Sequence, residues 1–187
     1  MKKLVLAASI ALLTACSAPQ QSQINVNPQA ALSQNAIVNN SSFSLVSKDV
    51  RSAQYVALVD SGRNNIEPIH PRQNVRITLE NALAEQFGSQ SVNSENTITL
   101  EIQELLVSVK HSIMENQMDG SVVLEITAET PRGKLVKSYT GTAKRTGVLS
   151  ASNDEIETVL NDVINTVLKE IANDAELQNY MQERFNG

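Results

Sequence analysis

The chain has 187 residues, of which 41% are hydrophobic, enough apolar surface for a folded domain. Its formal net charge of −5 makes it a poor ligand for the phosphate backbone, so the composition argues against nucleic-acid binding. With three Phe, three Tyr and no Trp, the sequence also lacks the aromatic residues on which bases usually stack.

The first sixteen residues have the pattern of an export signal. Lys2 and Lys3 precede an apolar run over residues 4–13, which is too short to cross a bilayer as a stable helix. The run ends in Leu13-Thr14-Ala15-Cys16, and Cys16 is the only cysteine in the chain. A lone cysteine in an exported protein has no partner for an internal disulfide, so it is a liability unless it is modified.

These last four residues resemble a bacterial lipobox. The resemblance implies cleavage between Ala15 and Cys16, an S-diacylglycerol on the Cys16 sulfur and an N-acyl group, such as palmitate, on the new amine. At about 0.8 kcal/mol per buried methylene, two or three acyl chains make a durable anchor. Ser17 in the second mature position favours the periplasmic face of the outer membrane. The alternative is an ordinary secretory signal cleaved near Ala15, with an unmodified cysteine.

Removal of the signal peptide, residues 1–15, leaves 172 residues with a formal charge of −7. Residues 16–42 predict a lipidated N-terminus followed by a flexible polar linker, because no residue from Ser17 to Ser47 is charged. As a coil, this linker would reach roughly 25 to 30 Å. An alternative takes Ile24 and Val26, which alternate before a proline, as a short edge strand that docks on the domain.

Residues 43–187 predict a single periplasmic domain. Its first strand is predicted over Phe43–Arg51 and a second, short one over Tyr55–Val59. Glycine, asparagine and two prolines predict a loop over residues 60–71. A helix is predicted over Arg72–Phe87, followed by Gly88 as its C-terminal stop. The apolar side chains on one face of this helix are Val75, Leu79, Ala82, Leu83 and Phe87.

Alternating residues then predict a sheet. A strand runs from Thr97 to Val109, and a change of phase near Gln103-Glu104 indicates a β-bulge. Even positions stay apolar over a long strand from about Met114 to Glu129, with the hairpin turn around residues 110–112. The rival interpretation places that turn at Asp119-Gly120.

The last elements have the clearest signals. Pro131-Arg132-Gly133 predicts a turn before a third strand over Leu135–Lys144. Ser152 and Glu155 form a capping box, and an apolar stripe from Ile156 to Ile171 follows at helical spacing. A short helix is predicted after Asn173-Asp174. The chain therefore predicts an α+β, two-layer sandwich: a mixed, mostly antiparallel sheet of about four strands, two main helices on one face and a short C-terminal helix. The first strand is expected to pair in parallel with the strand after the first helix.

In this order, the elements resemble the YajG family of bacterial lipoproteins. The resemblance rests on the lipobox, the polar leader, the helix from Arg72 to Leu79, the strand from Ile98 to Val109, the turn from Pro131 to Lys134, and Ser152 with the helix behind it. It implies an outer-membrane lipoprotein facing the periplasm, with no established enzymatic activity. It supplies no catalytic or ligand residues, so Cys16 is the one functional position that it supports.

Residues capable of chemistry are sparse. The two histidines, His70 and His111, are far apart in sequence, and Cys16 is committed to lipid, so we expect no metal or cofactor site. No Gly-x-Ser-x-Gly motif is present for a hydrolase nucleophile. We therefore expect no enzyme, no cofactor and no catalytic residue.

Other polar and flexible residues have structural interpretations. Glu101 with Glu104, and Glu125 with Glu129, are expected on the solvated face of strands. Asp49 and Arg51, two apart on a strand, share a face and are expected to pair with each other or with a neighbour. The glycines Gly120, Gly133, Gly141 and Gly147 are expected in turns or bulges. Met114 and Met118 are expected in the core, with a soft binding surface as the alternative.

These features favour a non-enzymatic binding or accessory module, anchored at the outer membrane and bound to an envelope protein of unknown identity through its uncovered sheet face or a strand edge. One alternative is an accessory subunit of an outer-membrane lipopolysaccharide or lipid transport assembly, by analogy of fold. The other is an enzyme acting on cell wall or lipid, motivated only by location.

Overall fold

A long mixed sheet covered by helices forms the folded part of the chain. The computed structural model describes residues 22–29, 42–62, 64–87, 91 and 94–185. Within them the elements are β1 (Gln23–Ile24), β2 (Ser44–Asp49), β3 (Ala57–Asp60), β4 (Ile66–Pro71), α1 (Val75–Phe87), β5 (Thr97–His111), β6 (Glu115–Thr130), β7 (Gly133–Val148), α2 (Asn153–Asn173) and α3 (Ala175–Arg184). The predicted α+β class is confirmed, but the described sheet has seven strands rather than about four.

The three longest strands, β5, β6 and β7, form an antiparallel meander. The predicted bulge is confirmed, because the register shifts between Ile102 and Glu104. The β5–β6 turn occupies residues 112–114, just after its predicted position. The rival turn at Asp119-Gly120 is wrong, since both residues pair with β5 inside the ladder.

Two short strands share the other edge of β5. β2 pairs in parallel with residues 97–102, as predicted for the first crossover, and β3 pairs in parallel with residues 107–110. The bulge on β5 falls between the two pairings. One continuous strand thus carries two successive partners, with a gap between them at residues 103–106.

The predicted loop over residues 60–71 is wrong in its second half, because residues 66–71 form β4 between β3 and β1. Both prolines are accommodated in β4 because the backbone nitrogens of successive residues in a strand point to opposite edges. The N–H groups of His70 and Arg72 point to β1, so the nitrogen of Pro68 faces the same edge, where β1 no longer reaches. Pro71 faces the opposite edge, past the last β3 partner at Ile69. Neither proline interrupts a ladder hydrogen bond.

The helices cover one face of the sheet. On β6 the buried side chains are those at even positions, and nine residues of α2 are buried against this face. The predicted capping box is confirmed: the Ser152 hydroxyl accepts from Glu155 N–H while the Glu155 carboxylate accepts from Ser152 N–H. α1 starts at Val75, three residues later than predicted, with Asn74 Oδ1 accepting from Ile77 N–H at 3.3 Å. Gly88 lies outside the described residues.

Three phenylalanines close the far end of the core. Phe43, before β2, lies 6.4 Å from both Phe87, at the end of α1, and Phe185, at the end of α3, measured between ring centroids. All three are buried. The Phe43 ring therefore contacts the C-terminal ends of both α1 and α3.

Candidate functional site

The proposed lipidation site, Cys16, and the cleavage position at Ala15 lie outside the described residues. The nearest described segment, residues 22–29, lies against the domain, so the flexible-linker prediction does not hold there. β1 pairs in parallel with His70 and Pro71, and the buried Ile24 enters the core, as the edge-strand alternative predicts. The described part of the folded body therefore begins six residues after Cys16.

This docked segment follows α2 from its N-terminal end. Asn153 Nδ2 donates to Ser22 Oγ at 2.8 Å, and Asn25 N–H donates to Glu157 Oε2 at 2.7 Å. Further along, the N–H groups of Asn27 and Gln29 donate to the side-chain carbonyls of Asn161 and Asn165. Because these helix residues lie four apart, they form one polar row along which the segment runs.

The gap between β2 and β3 holds a largely buried ion pair between Asp49 and Arg51, which is one of the two pairings expected for them. Arg51 Nε and Nη2 donate to the two Asp49 carboxylate oxygens at 2.8 and 2.7 Å, and Nη1 donates to the carbonyls of Tyr55 and Leu105. Burial raises the pKa of Asp49, but the hydrogen bonds and charge of Arg51 outweigh it, so that pKa lies below its usual value. The Arg51 guanidinium thus donates hydrogen bonds to two backbone carbonyls in the gap where neither β2 nor β3 pairs with β5.

The adjoining cleft is too small for most ligands. It has a volume of about 100 Å³ and is lined by Arg51, Ser52, Tyr55 and the bulge of β5. Cofactor and drug-sized pockets usually span about 300 to 1,000 Å³. Asp49 and Arg51 therefore act as a structural pair.

The two histidines lie apart. Ile69, the residue before His70, pairs with Ala57 at the start of β3. Lys110, the residue before His111, pairs with Asp60 at the end of β3. The His111 side chain accepts from Ala151 N–H at 3.2 Å, which holds the loop before α2. Among the residues that the structure describes, no three His, Cys, Asp or Glu side chains gather into a possible metal site.

The glutamates that lie opposite each other in the sheet are not the pairs that are neighbours in sequence. Glu101 on β5 lies directly opposite Glu125 on β6, while the bulge separates Glu101 from Glu104. Lys48 Nζ binds Glu101 at 3.0 Å, and Gln103 Nε2 donates to Glu125 at 3.1 Å. These contacts place the carboxylates on the solvated face of the sheet, as predicted.

The prediction for methionine and glycine needs correction. Met118 is buried as expected, but Met114 is 81% exposed, because it lies in the β5–β6 turn rather than in a strand. Gly120 and Gly141 lie within strands rather than in turns, where the valines of α2 approach the sheet. Gly147 also lies within a strand, β7, directly beside the side chain of Asn116.

In the described structure, the face of the sheet opposite the helices is left uncovered. We call it the open face, formed by the outward side chains of β2, β5, β6 and β7. Its cross-strand rows are rich in hydroxyl groups, with two ion pairs, Lys48–Glu101 and Lys144–Asp119. The apolar members are Val46, Leu106, Val123 and Val136, which are exposed or half-buried. A shallow depression of about 280 Å³ lies around Leu106, Ser121 and Thr142.

Comparisons with known proteins establish the family. A family described as uncharacterised lipoproteins matches residues 28–182, and the chain belongs to this family, so the predicted resemblance is confirmed. Comparison with curated proteins gives no significant match.

Solved structures share the fold. Protein XCC0632 from Xanthomonas campestris, of the DUF330 family, has a TM-score of 0.53 and 13% identity, covering 87% of this chain and 97% of that one. An uncharacterised protein has a TM-score of 0.50 and 12% identity, covering 81% and 96%. At these identities the likeness concerns the fold alone. In the described part of this chain, no helix has the length and apolar character needed to cross a membrane.

Proposed function

We propose that this chain is a lipid-anchored accessory protein of the cell envelope, held at the periplasmic face of the outer membrane through acylated Cys16. It acts by binding an envelope protein through the open face, rather than by catalysing a reaction. Membership of a lipoprotein family supports the anchor. The uncovered sheet face is the observation that carries the binding role.

The dimensions of this face suit a protein partner. The three strands β5, β6 and β7, of 15 or 16 residues, are about 50 Å long, and at about 4.8 Å per strand, with the six residues of β2 beside them, they give on the order of 800 Å². That is about the area each partner buries in a standard protein–protein interface. Apolar residues such as Val46 and Val136, set among hydroxyl groups and ion pairs, match the mixed composition of interfaces that form and dissociate.

Site-specific photo-cross-linking in intact cells tests the binding role. A photoreactive residue replaces Thr140, which is exposed on the open face, and in a matched control it replaces Glu170, which is exposed on α2. We expect a discrete adduct with an envelope protein from position 140 only. Equal adducts from both positions, or none above background, contradict binding through this face.

Fractionation tests the anchor separately. Cys16→Ala is expected to give an uncleaved or soluble form, because no acyl chain can be attached. A mutant that stays in the outer-membrane fraction contradicts the anchor.

A double variant addresses catalysis. His70→Ala combined with His111→Ala is expected to leave the cross-linked adduct unchanged. A lost cellular phenotype with retained folding and binding would favour an enzyme.

A further inference from the structure

Four large apolar side chains lie at one end of the sheet, and each of them is mostly exposed to solvent. We call them the apolar tip: Ile113 and Met114 from the β5–β6 turn, and Val148 and Leu149 from the end of β7. Their exposed fractions are 96%, 81%, 82% and 69%, respectively. Every other exposed large hydrophobic residue in the described part of the chain is 58% exposed or less. The tip is therefore the most solvent-exposed apolar surface of the described structure.

Hydrogen bonds hold the tip in place. Leu149 N–H donates to the Met114 carbonyl at 3.3 Å, which joins the two halves. Leu149 has a φ of 62°, a left-handed conformation that is costly for a leucine. The fully buried Asn116 donates from Nδ2 to the Leu149 carbonyl at 3.1 Å. A buried amide thus stabilises a strained backbone that presents an apolar side chain to solvent.

The first described residue of the N-terminal segment, Ser22, lies at this same end. Ser22 contacts Asn153, at the first turn of α2, and the following residues run along the helix away from the tip. Asn153 is four residues past Leu149, so the two are at most about 14 Å apart along an extended chain. Cys16 is six residues before Ser22, a reach of at most about 20 Å.

We propose that the apolar tip inserts into the interfacial region of the membrane leaflet that holds the acyl chains of Cys16. The inference rests on the proposed anchor and adds a second point of attachment. Apolar side chains gain by leaving water at the boundary between headgroups and acyl chains. The short tether keeps the tip at a high effective concentration near the lipid, so a patch too small to bind by itself stays inserted.

Exposed charged residues lie just behind the tip. Lys110 on β5, Glu115 on β6 and Arg145 on β7 are at the level of the headgroups when the four apolar residues are inserted. Long cationic side chains suit that level, because their charged ends remain hydrated. Two attachments fix the orientation: β5, β6 and β7 stand end-on to the membrane, and the open face is directed sideways into the periplasm.

Tryptophan fluorescence tests this placement, because the natural chain contains no tryptophan. Ile113→Trp supplies a reporter in the tip, and Val136→Trp supplies the control on the open face, near the other end of β7. Each lipidated full-length protein is reconstituted in phosphatidylethanolamine–phosphatidylglycerol vesicles with or without brominated acyl chains. We expect a blue shift and a loss of fluorescence through bromine quenching for Ile113→Trp, and neither for Val136→Trp.

The outcomes separate the tip from the anchor. Protein that fails to float with the vesicles overturns the anchor and, with it, the inserted tip. Protein that floats without quenching of Ile113→Trp, or with equal quenching of both variants, overturns the tip alone. Adding Met114→Ser, Val148→Ser and Leu149→Asn to Ile113→Trp should abolish the shift while flotation persists; a retained shift contradicts insertion. Dimerisation of the unacylated Ile113→Trp, Cys16→Ala chain with a blue shift in vesicle-free buffer would assign the tip to a contact between copies.

Discussion

Gly141 on β7 lies so close to α2 that a Cβ atom at its position would be 2.6 Å from Cγ2 of Val167. Only a residue without a side chain permits this approach. Gly120 on the neighbouring strand is placed similarly, with two valine methyl groups 3.1 Å from a Cβ at its position. These two glycines set the distance between α2 and the sheet.

Gly141→Ala should therefore destabilise the domain by about 2 kcal/mol, because the added methyl group forces the helix or the strand to shift. The measurement is the free energy of unfolding in urea. Combining Gly141→Ala with Val167→Ala should cost less than the sum of the single changes, since the shortened valine makes room for the methyl group. Thr140→Ala, on the open face, is the control and should have little effect; additive costs contradict the steric account.

Asp49→Asn should cost about 2 kcal/mol at neutral pH, because it removes the charge that compensates the buried Arg51. The pKa of Asp49 is lowered in the folded state, so its contribution is complete above the ordinary value of 3.8 and is lost as the pH falls through the lowered folded value. The stability difference between wild type and Asp49→Asn should thus be constant from about pH 7 to pH 5 and shrink below about pH 4.

A neighbouring exposed pair provides the control for that experiment. Lys48→Met breaks the salt bridge to Glu101, and Lys48 is largely solvated, so the loss should be less than about 1 kcal/mol. If both variants lose the same stability, the burial of the Asp49–Arg51 pair has no energetic consequence.

Ser152→Ala should destabilise the domain by about 1 kcal/mol, because it removes the side-chain oxygen that caps α2 at the Glu155 N–H. Thermal unfolding monitored by circular dichroism measures the effect. Ser150→Ala changes a serine two residues earlier, outside the capping box, and should be nearly neutral. A similar loss in both variants would contradict the capping role.

Leu149→Asn should stabilise the isolated domain by about 1 kcal/mol, because asparagine tolerates the left-handed backbone conformation that leucine resists. Val148→Asn, whose backbone is not left-handed, should bring no gain. Urea unfolding of the unacylated proteins checks both. A loss of stability in Leu149→Asn would mean that the leucine at the tip is not strained.

Glu157→Ala should loosen the docked segment without unfolding the domain. It removes the acceptor for the backbone and side-chain N–H groups of Asn25, so amide exchange at Asn25 should accelerate about tenfold. Hydrogen exchange of the native protein measures this rate. Asp162→Ala, at an exposed position on the same helix, should leave it unchanged; acceleration in both variants would point to a general effect on α2.

Patterns with strong periodicity predicted most of the fold. The alternation on β5 and β6, the bulge near Gln103, and the capping box at Ser152 each depend on neighbours in sequence, and all are confirmed. The short strand β4 escaped prediction because its signal is weak: it contains two prolines, and only the ends of the neighbouring strands make them acceptable. Met114 was expected in the core since it shares the even phase of β6, but the turn before Glu115 places it in solvent.

By itself, the sequence predicted an export signal with a lone cysteine that resembles a lipobox residue, and it determined the α+β class, because hydrophobic periodicity, helix capping and chain order are local properties. Tertiary structure decided the rest. It docked residues 22–29 on α2, placed the Arg51 guanidinium against the Leu105 carbonyl in the gap between β2 and β3, and brought an apolar pair from the β5–β6 turn next to one from the end of β7. Those arrangements depend on which strands lie side by side, and that is set by packing between residues far apart in the chain.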